Sequence, residues 1–170
     1  AAIPYPVLKE TYQWLTARTC EYDKELLDGL EARGFRTDFE PDRTGFHMRY
    51  LRKGGGYYIN TGCSELIING SIGVKQAEDI EQVVPEGLRL RDGSVLEADS
   101  IVLATGYKNQ QEGIRSLLGD TIAERVGPVW GFDENGNKRN MWQRTAQKGL
   151  WIMGGALMEG RFYSRPLALQ

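Results

Sequence analysis

The run Ile101-Val102-Leu103-Ala104, ending at Thr105-Gly106-Tyr107, constrains this chain more than any other feature. A strand with one wet face alternates polar and apolar residues, whereas a run without alternation predicts a strand buried on both faces, as in a parallel sheet. Such a strand needs neighbours on both edges and layers on both faces, which points to an α/β fold. Glycine at its end permits backbone angles and close approaches closed to other residues. A second run of the same form, Gly149-Leu150-Trp151-Ile152-Met153-Gly154-Gly155, leads to Arg161-Phe162-Tyr163-Ser164-Arg165-Pro166-Leu167-Ala168-Leu169-Gln170.

The chain has 170 residues, enough for one domain, or one domain and a fragment of another. Its net charge of -2 carries no basic footprint for nucleic acid or for an anionic membrane surface. No apolar stretch approaches the length that crosses a bilayer. No secretory leader is recognisable at Ala1-Ala2-Ile3-Pro4, and a cytoplasmic location is expected. The two cysteines, Cys20 and Cys63, form no disulfide framework and are expected as buried thiols. With His47 the only histidine, a His/Cys metal site is not expected, and no nucleophile-elbow motif offers a serine for a triad.

Helical spacing of Val7, Leu8, Tyr12 and Leu15 predicts a helix over 5–19. Asp23 is placed to cap a second helix over 24–33, closed by Gly34 with Phe35 as its apolar contact. Residues 36–56 are charged and contain Pro41 and Gly54-Gly55-Gly56; they are expected as a loop, the glycines as a flexible turn. Strand-like runs follow at 57–60 and 72–74, with a short helix over 64–68 and an Asn69-Gly70 turn between them. Strand-like runs stand at 80–84 and 87–91, and the Asp92-Gly93 signal with a returning strand at 95–98 predicts a β-hairpin. Residues 110–120 are expected as a surface helix, 126–141 as a loop or hairpin with a polar tip at 133–137, and 149–153 as the second buried strand. Ser164 or Arg165 is expected to cap a last helix with Pro166 in its first turn. Trp130, Trp142, Trp151, Met153 and Met158 are expected in the core or at an interface.

The "ATGY" strand end and the "GLW…GG…RFYSRPLALQ" segment resemble the C-terminal third of flavin-containing monooxygenases, which are FAD- and NADPH-dependent flavoproteins with two dinucleotide-binding domains. The stretch 57–74 resembles the same family more weakly. The resemblance implies an α/β fold, an incomplete FAD/NAD(P)-binding (Rossmann-like) domain with N-terminal helices, a β-meander and parallel strands. It implies that residues 1–104 are the C-terminal part of the NAD(P)H-binding domain and 105–170 a return segment of the FAD-binding domain, truncated in its last helix.

By the same resemblance the cofactors are FAD and NADPH, and the cofactor-binding candidates are Ala104, Thr105, Gly106, Tyr107, Gly154, Gly155, Arg161, Phe162, Tyr163 and Ser164, with Asn60 as a polar contact near the nicotinamide. The backbone N–H groups near Tyr163, Ser164 and Arg165 would face the pyrimidine edge of the flavin from a helix N-terminus. The implied reaction uses NADPH and O2 to oxygenate a small organic substrate through an FAD C4a-(hydro)peroxide, and no catalytic residue is assigned. Both glycine-rich dinucleotide loops are absent from the 170 residues, so the implied partner is a missing N-terminal portion of the same protein, and the chain alone is expected to be inactive. Two other classes stay open: a non-catalytic interaction or regulatory remnant of the fold, and another FAD/NAD(P)H oxidoreductase. The absence of C-x-x-C makes disulfide reduction the weakest of these.

Overall fold

The computed structural model describes residues 3–170. Ala1 and Ala2, at the start of the first expected domain and of the segment Ala1-Ala2-Ile3-Pro4, lie outside the described residues. The chain forms two compact units and passes between them four times. The first unit holds residues 3–17, 39–57 and 106–170; the second holds 18–38 and 58–105.

In the first unit, helix α1 (Tyr5–Tyr22, whose later turns belong to the second unit) is followed by α3 (Gly45–Lys53), α5 (Gln110–Leu118), α6 (Asp120–Val126) and α7 (Leu157–Ala168). Met48, Ala123, Val126, Val129, Met141 and Trp142 form the apolar core, with Thr16 and Thr44 also buried. Helix α3 corrects the loop expected over 36–56. Its signals are an apolar position, Met48, that becomes fully buried, a basic last turn of Arg52 and Lys53, and Gly54 at φ 77 donating its N–H to Tyr50 O. Cations at a helix C-terminus and a left-handed glycine beyond it both favour ending a helix there. The first of the three glycines is therefore a helix stop.

An ionic network fixes the turn before α3. The Arg52 guanidinium donates to both Asp42 carboxylate oxygens (3.0 and 2.7 Å), to Glu40 (3.2 Å), to the Thr44 hydroxyl (3.3 Å) and to the Tyr5 hydroxyl (3.1 Å). Arg49 approaches Glu40 at 3.0 Å, Lys53 approaches it at 3.6 Å, and Lys9 approaches Asp42 at 3.4 Å. Glu40 and Arg43 sit at positive φ, 64° and 60°, in the left-handed region, and Gly45 adopts φ 64. A Cβ on Gly45 would collide with the Thr16 hydroxyl of α1, so glycine allows α3 to begin against α1.

In the second unit, α2 (Lys24–Ala32) ends as its sequence indicates: Gly34 at φ 81 donates to Glu31 O, and Phe35 N–H donates to Leu30 O. Helix α4 (Cys63–Ile68) packs on α2, where Gly29 leaves room for the Ile68 side chain. A 3₁₀ turn at Ala77–Asp79 leads into an antiparallel meander in the order β1 (Ile80–Val84), β2 (Gly87–Leu90), β3 (Val95–Glu97). Val83 pairs with Leu88 and Leu88 with Leu96. Asp92 caps the hairpin by accepting from Ser94 N, and Gly93 stands at φ 86. Leu30, Ile67 and Leu90 are buried, with Ser64 beside them.

The described residues contain no parallel strand. Residues 101–104 are unpaired, with Val102 88% and Leu103 80% exposed, because no strand among the described residues lies beside them to complete a ladder. Residues 149–153 make one isolated bridge, Arg144 to Trp151, and Trp151 and Met153 are exposed. Met158 is exposed too, while Trp142 is buried and Trp130 half-buried. The runs at 57–60 and 72–74 are loops. Cys63 is exposed and Cys20 half-buried, so neither is the buried thiol expected. No helix of the described residues is long and apolar enough to cross a membrane.

The Arg52 pairing holds the Asp42 carboxyl well below the usual carboxylate range, an effect larger than the opposing cost of burial. Asp42 in the unfolded chain ionises near pH 4, so its stabilisation is complete above about pH 5 and is lost as pH falls below about 4. All four tryptophans lie in the first unit, so urea unfolding followed by their fluorescence reports on it. Asp42→Asn is expected to lower stability by about 2 kcal/mol at pH 7. It should also flatten the fall in stability between about pH 5 and pH 3. An unchanged acid slope in the variant would show that Asp42 does not carry the acid sensitivity of this unit.

Candidate functional site

The C-terminal half of the first unit builds its polar and aromatic surroundings around α7. Two residues before α7, Gly155 turns at φ 92. Ala156 N–H then donates to Glu159 Oε2 at 3.0 Å, while Glu159 Oε1 accepts from the Tyr50 hydroxyl at 3.1 Å. This carboxylate satisfies an otherwise open N–H at the helix start and opposes the positive end of the helix dipole. Burial, reinforced by the hydrogen bond to Glu159, pushes the Tyr50 hydroxyl pKa up.

The Tyr163 ring stacks on Trp142 with centroids 6.0 Å apart, and Lys138 Nζ lies 4.2 Å from the Tyr163 centroid. A cation over a tyrosine face is worth about 0.5–1 kcal/mol at such partly exposed positions. Trp142 Nε1 donates to Gly154 O at 3.0 Å, which ties the glycine pair to the same cluster. Upstream, Asn109 caps α5 by accepting from Gln111 N–H and clamps Val129 by donating to its carbonyl (2.7 Å) and accepting from its N–H (3.1 Å).

Of the residues singled out from the sequence, Gly154, Gly155 and Tyr163 are thus gathered around Trp142 and the start of α7. Arg161, Phe162 and Ser164 lie on α7 and are exposed. Ala104 and Thr105 belong to the second unit and Gly106 and Tyr107 to the first; all four are exposed, with Tyr107 bare of neighbours. Gly106, at φ 85, faces open space. Asn60 stands in the second unit, where its Oδ1 accepts from Gly62 N and Ser64 N (both 3.1 Å) and its Nδ2 donates to Glu65 (3.2 Å). It is a cap for α4.

The helix start expected at Ser164 or Arg165 is corrected by the structure. Helix α7 begins at Leu157, and Pro166 lies in its last turn. The N–H groups of Tyr163, Ser164 and Arg165 are inside the helix and bonded within it, so they are not available to a ligand. Glu159, three residues beyond Ala156, was the sequence signal for the true start. A proline late in a helix costs one backbone bond, which the exposed C-terminal turn tolerates more easily than a helix centre.

These residues do not fit a flavin in this arrangement. The donors meant for its pyrimidine edge are consumed, and the helix terminus carries the Glu159 carboxylate. The space a Cβ on Gly154 would take is already bounded at 3.0 Å by Gln110 and Met141 side chains of the chain itself. Nor is there, among the described residues, a group of three His, Cys, Asp or Glu side chains placed to hold a metal ion. His47 is stacked on Tyr12 (centroids 4.9 Å) and tilted against Phe46 (4.1 Å), and burial lowers its pKa, so it packs as a neutral ring.

No family model matches the chain, and no curated protein matches it. If Asn60 is only a cap, Asn60→Ala loosens the start of α4. Amide hydrogen exchange at Ser64 should then quicken about fivefold, corresponding to ~1 kcal/mol of lost capping. Unchanged exchange there would contradict a capping role.

Proposed function

We propose that these residues are the C-terminal portion of a flavin-dependent monooxygenase resembling the flavin-containing class. Its intact form would use FAD, NADPH and O2 to oxygenate a small organic substrate. Support comes from the order of the two motifs, "ATGY" and "GLW…GG…RFYSRPLALQ", and above all from the condition of residues 101–107. An unalternating apolar run, with Val102 and Leu103 on the surface and a left-handed glycine at its end, has the composition of a central strand and no ladder. Burying those side chains against neighbouring strands would contribute on the order of 1.5–3 kcal/mol each for Val and Leu. In the intact flavoprotein, upstream sequence would supply those strands.

In that assembly the present residues contribute packing and position. No step of the chemistry is assigned to any of them, because the local geometry around Gly154, Gly155 and α7 does not fit the flavin. That same geometry favours a second reading, a non-catalytic interaction module of this fold. Glu159 closes the helix terminus that a flavin would need open.

The test is to express the full genomic reading frame that encloses these residues. The first reading predicts upstream G-x-G-x-x-G segments, a yellow protein that copurifies with FAD, and NADPH oxidation coupled to O2 uptake. A reading frame without a dinucleotide-binding segment, yielding a colourless protein inert to NADPH, would overturn it in favour of the second.

A further inference from the structure

The outward face of α7 carries a cluster that neither the fold nor the proposed chemistry uses. At 3.6 residues per turn, Leu157, Met158, Arg161, Phe162, Arg165 and Leu169 fall within about 140° of arc. Met158 is 77% and Phe162 52% exposed, and both arginines are exposed as well. Glu159 and Tyr163 lie on the opposite face, held by Tyr50 and Trp142. Met158, Arg161, Phe162, Arg165 and Pro166 line a groove of about 550 Å³.

The charge on this face is uncompensated. Arg49, Arg52 and Arg115 each meet a carboxylate, whereas among the described residues neither the Arg161 nor the Arg165 guanidinium has an ion-pair or hydrogen-bond partner. Side chains four apart on a helix are neighbours, so the two guanidiniums offer converging donors to one oxyanion. Beside them Met158, Phe162 and Pro166 provide an apolar floor, with a thioether and an aromatic ring that accept varied shapes.

We propose that this groove binds a monomeric amphiphilic anion: Arg161 and Arg165 take an oxyanion head, and Met158, Phe162 and Pro166 take a short apolar body. Two arginines are fewer than the four to eight basic residues that mark an anionic-lipid surface. One short helix face is also smaller than the roughly 1,000 Å² a stable protein interface buries. Such binding needs no flavin and is independent of the function proposed above.

The probe is octanoate, titrated into the isotopically labelled full chain and followed by NMR at backbone amides and at the Arg Nε–Hε groups. Saturable shifts centred on residues 158–166 are expected, with binding at least tenfold tighter than for 1-octanol or acetate. Arg161→Gln with Arg165→Gln should weaken octanoate at least tenfold, while Arg161→Lys with Arg165→Lys should stay within about threefold. Equal binding of 1-octanol would overturn the proposal, as would shifts centred elsewhere, or a response to phosphatidylglycerol vesicles but not to octanoate. The comparison of octanoate, 1-octanol and acetate needs only the unmutated chain, so it decides the matter even where a variant fails to fold.

Discussion

The first unit depends on Arg52. Its guanidinium gathers Asp42, Glu40, Thr44 and Tyr5, and so fastens the turn over 39–44 to the first turn of α1 and the last turn of α3. Glu40 has a side chain only 3% exposed, so its charge is tolerable only while arginines face it. Removing one partner of a buried pair typically costs about 3–5 kcal/mol, more than the pair adds over an apolar substitute. The network therefore acts chiefly as a specification. It holds Glu40 and Arg43 in left-handed backbone, at a cost of about 1 kcal/mol or more each, and that turn aims α3 so that Met48 enters the core.

The second unit is specified by local rules. A left-handed glycine stops α2, an asparagine caps α4, and an Asp-Gly hairpin sets the register of the meander. Each device acts over a few residues and needs no distant partner. Gly87, at φ 144, marks a place where strands come too close for a side chain. A Cβ there would collide with the Leu96 carbonyl oxygen.

That difference explains what was legible in the sequence. The helices at 5–22 and 24–32, the short helix at 63–68 and the hairpin at Asp92-Gly93 follow from periodicity, caps and turn residues, and those signals are local. Helix α3 was hidden because its start is set by the Arg52 network and its sequence, rich in charge and followed by three glycines, reads as loop. The runs at 101–104 and 149–153 were legible as apolar but not as exposed, since burial of a strand depends on neighbours that the run itself does not encode. At the candidate site, the expected start at Ser164 or Arg165 rests on Pro166 alone, whereas Glu159 fixes the start of α7. Helix start rules favour an early proline, but the capping carboxylate three residues beyond Ala156 decides the geometry.

The chemistry inferred from motifs and the geometry of the folded chain meet at α7. The family resemblance implies an open, positive helix terminus beside a glycine pair; the structure presents one closed by Glu159, with the later N–H groups spent inside the helix. We infer that these residues alone do not assemble a flavin site. Titration of the folded chain with FAD, following the visible band and the quenching of flavin fluorescence, tests it directly. No saturable binding is expected from a chain that still unfolds cooperatively in urea. Stoichiometric binding with quenching would contradict it and would place a complete flavin site within these residues.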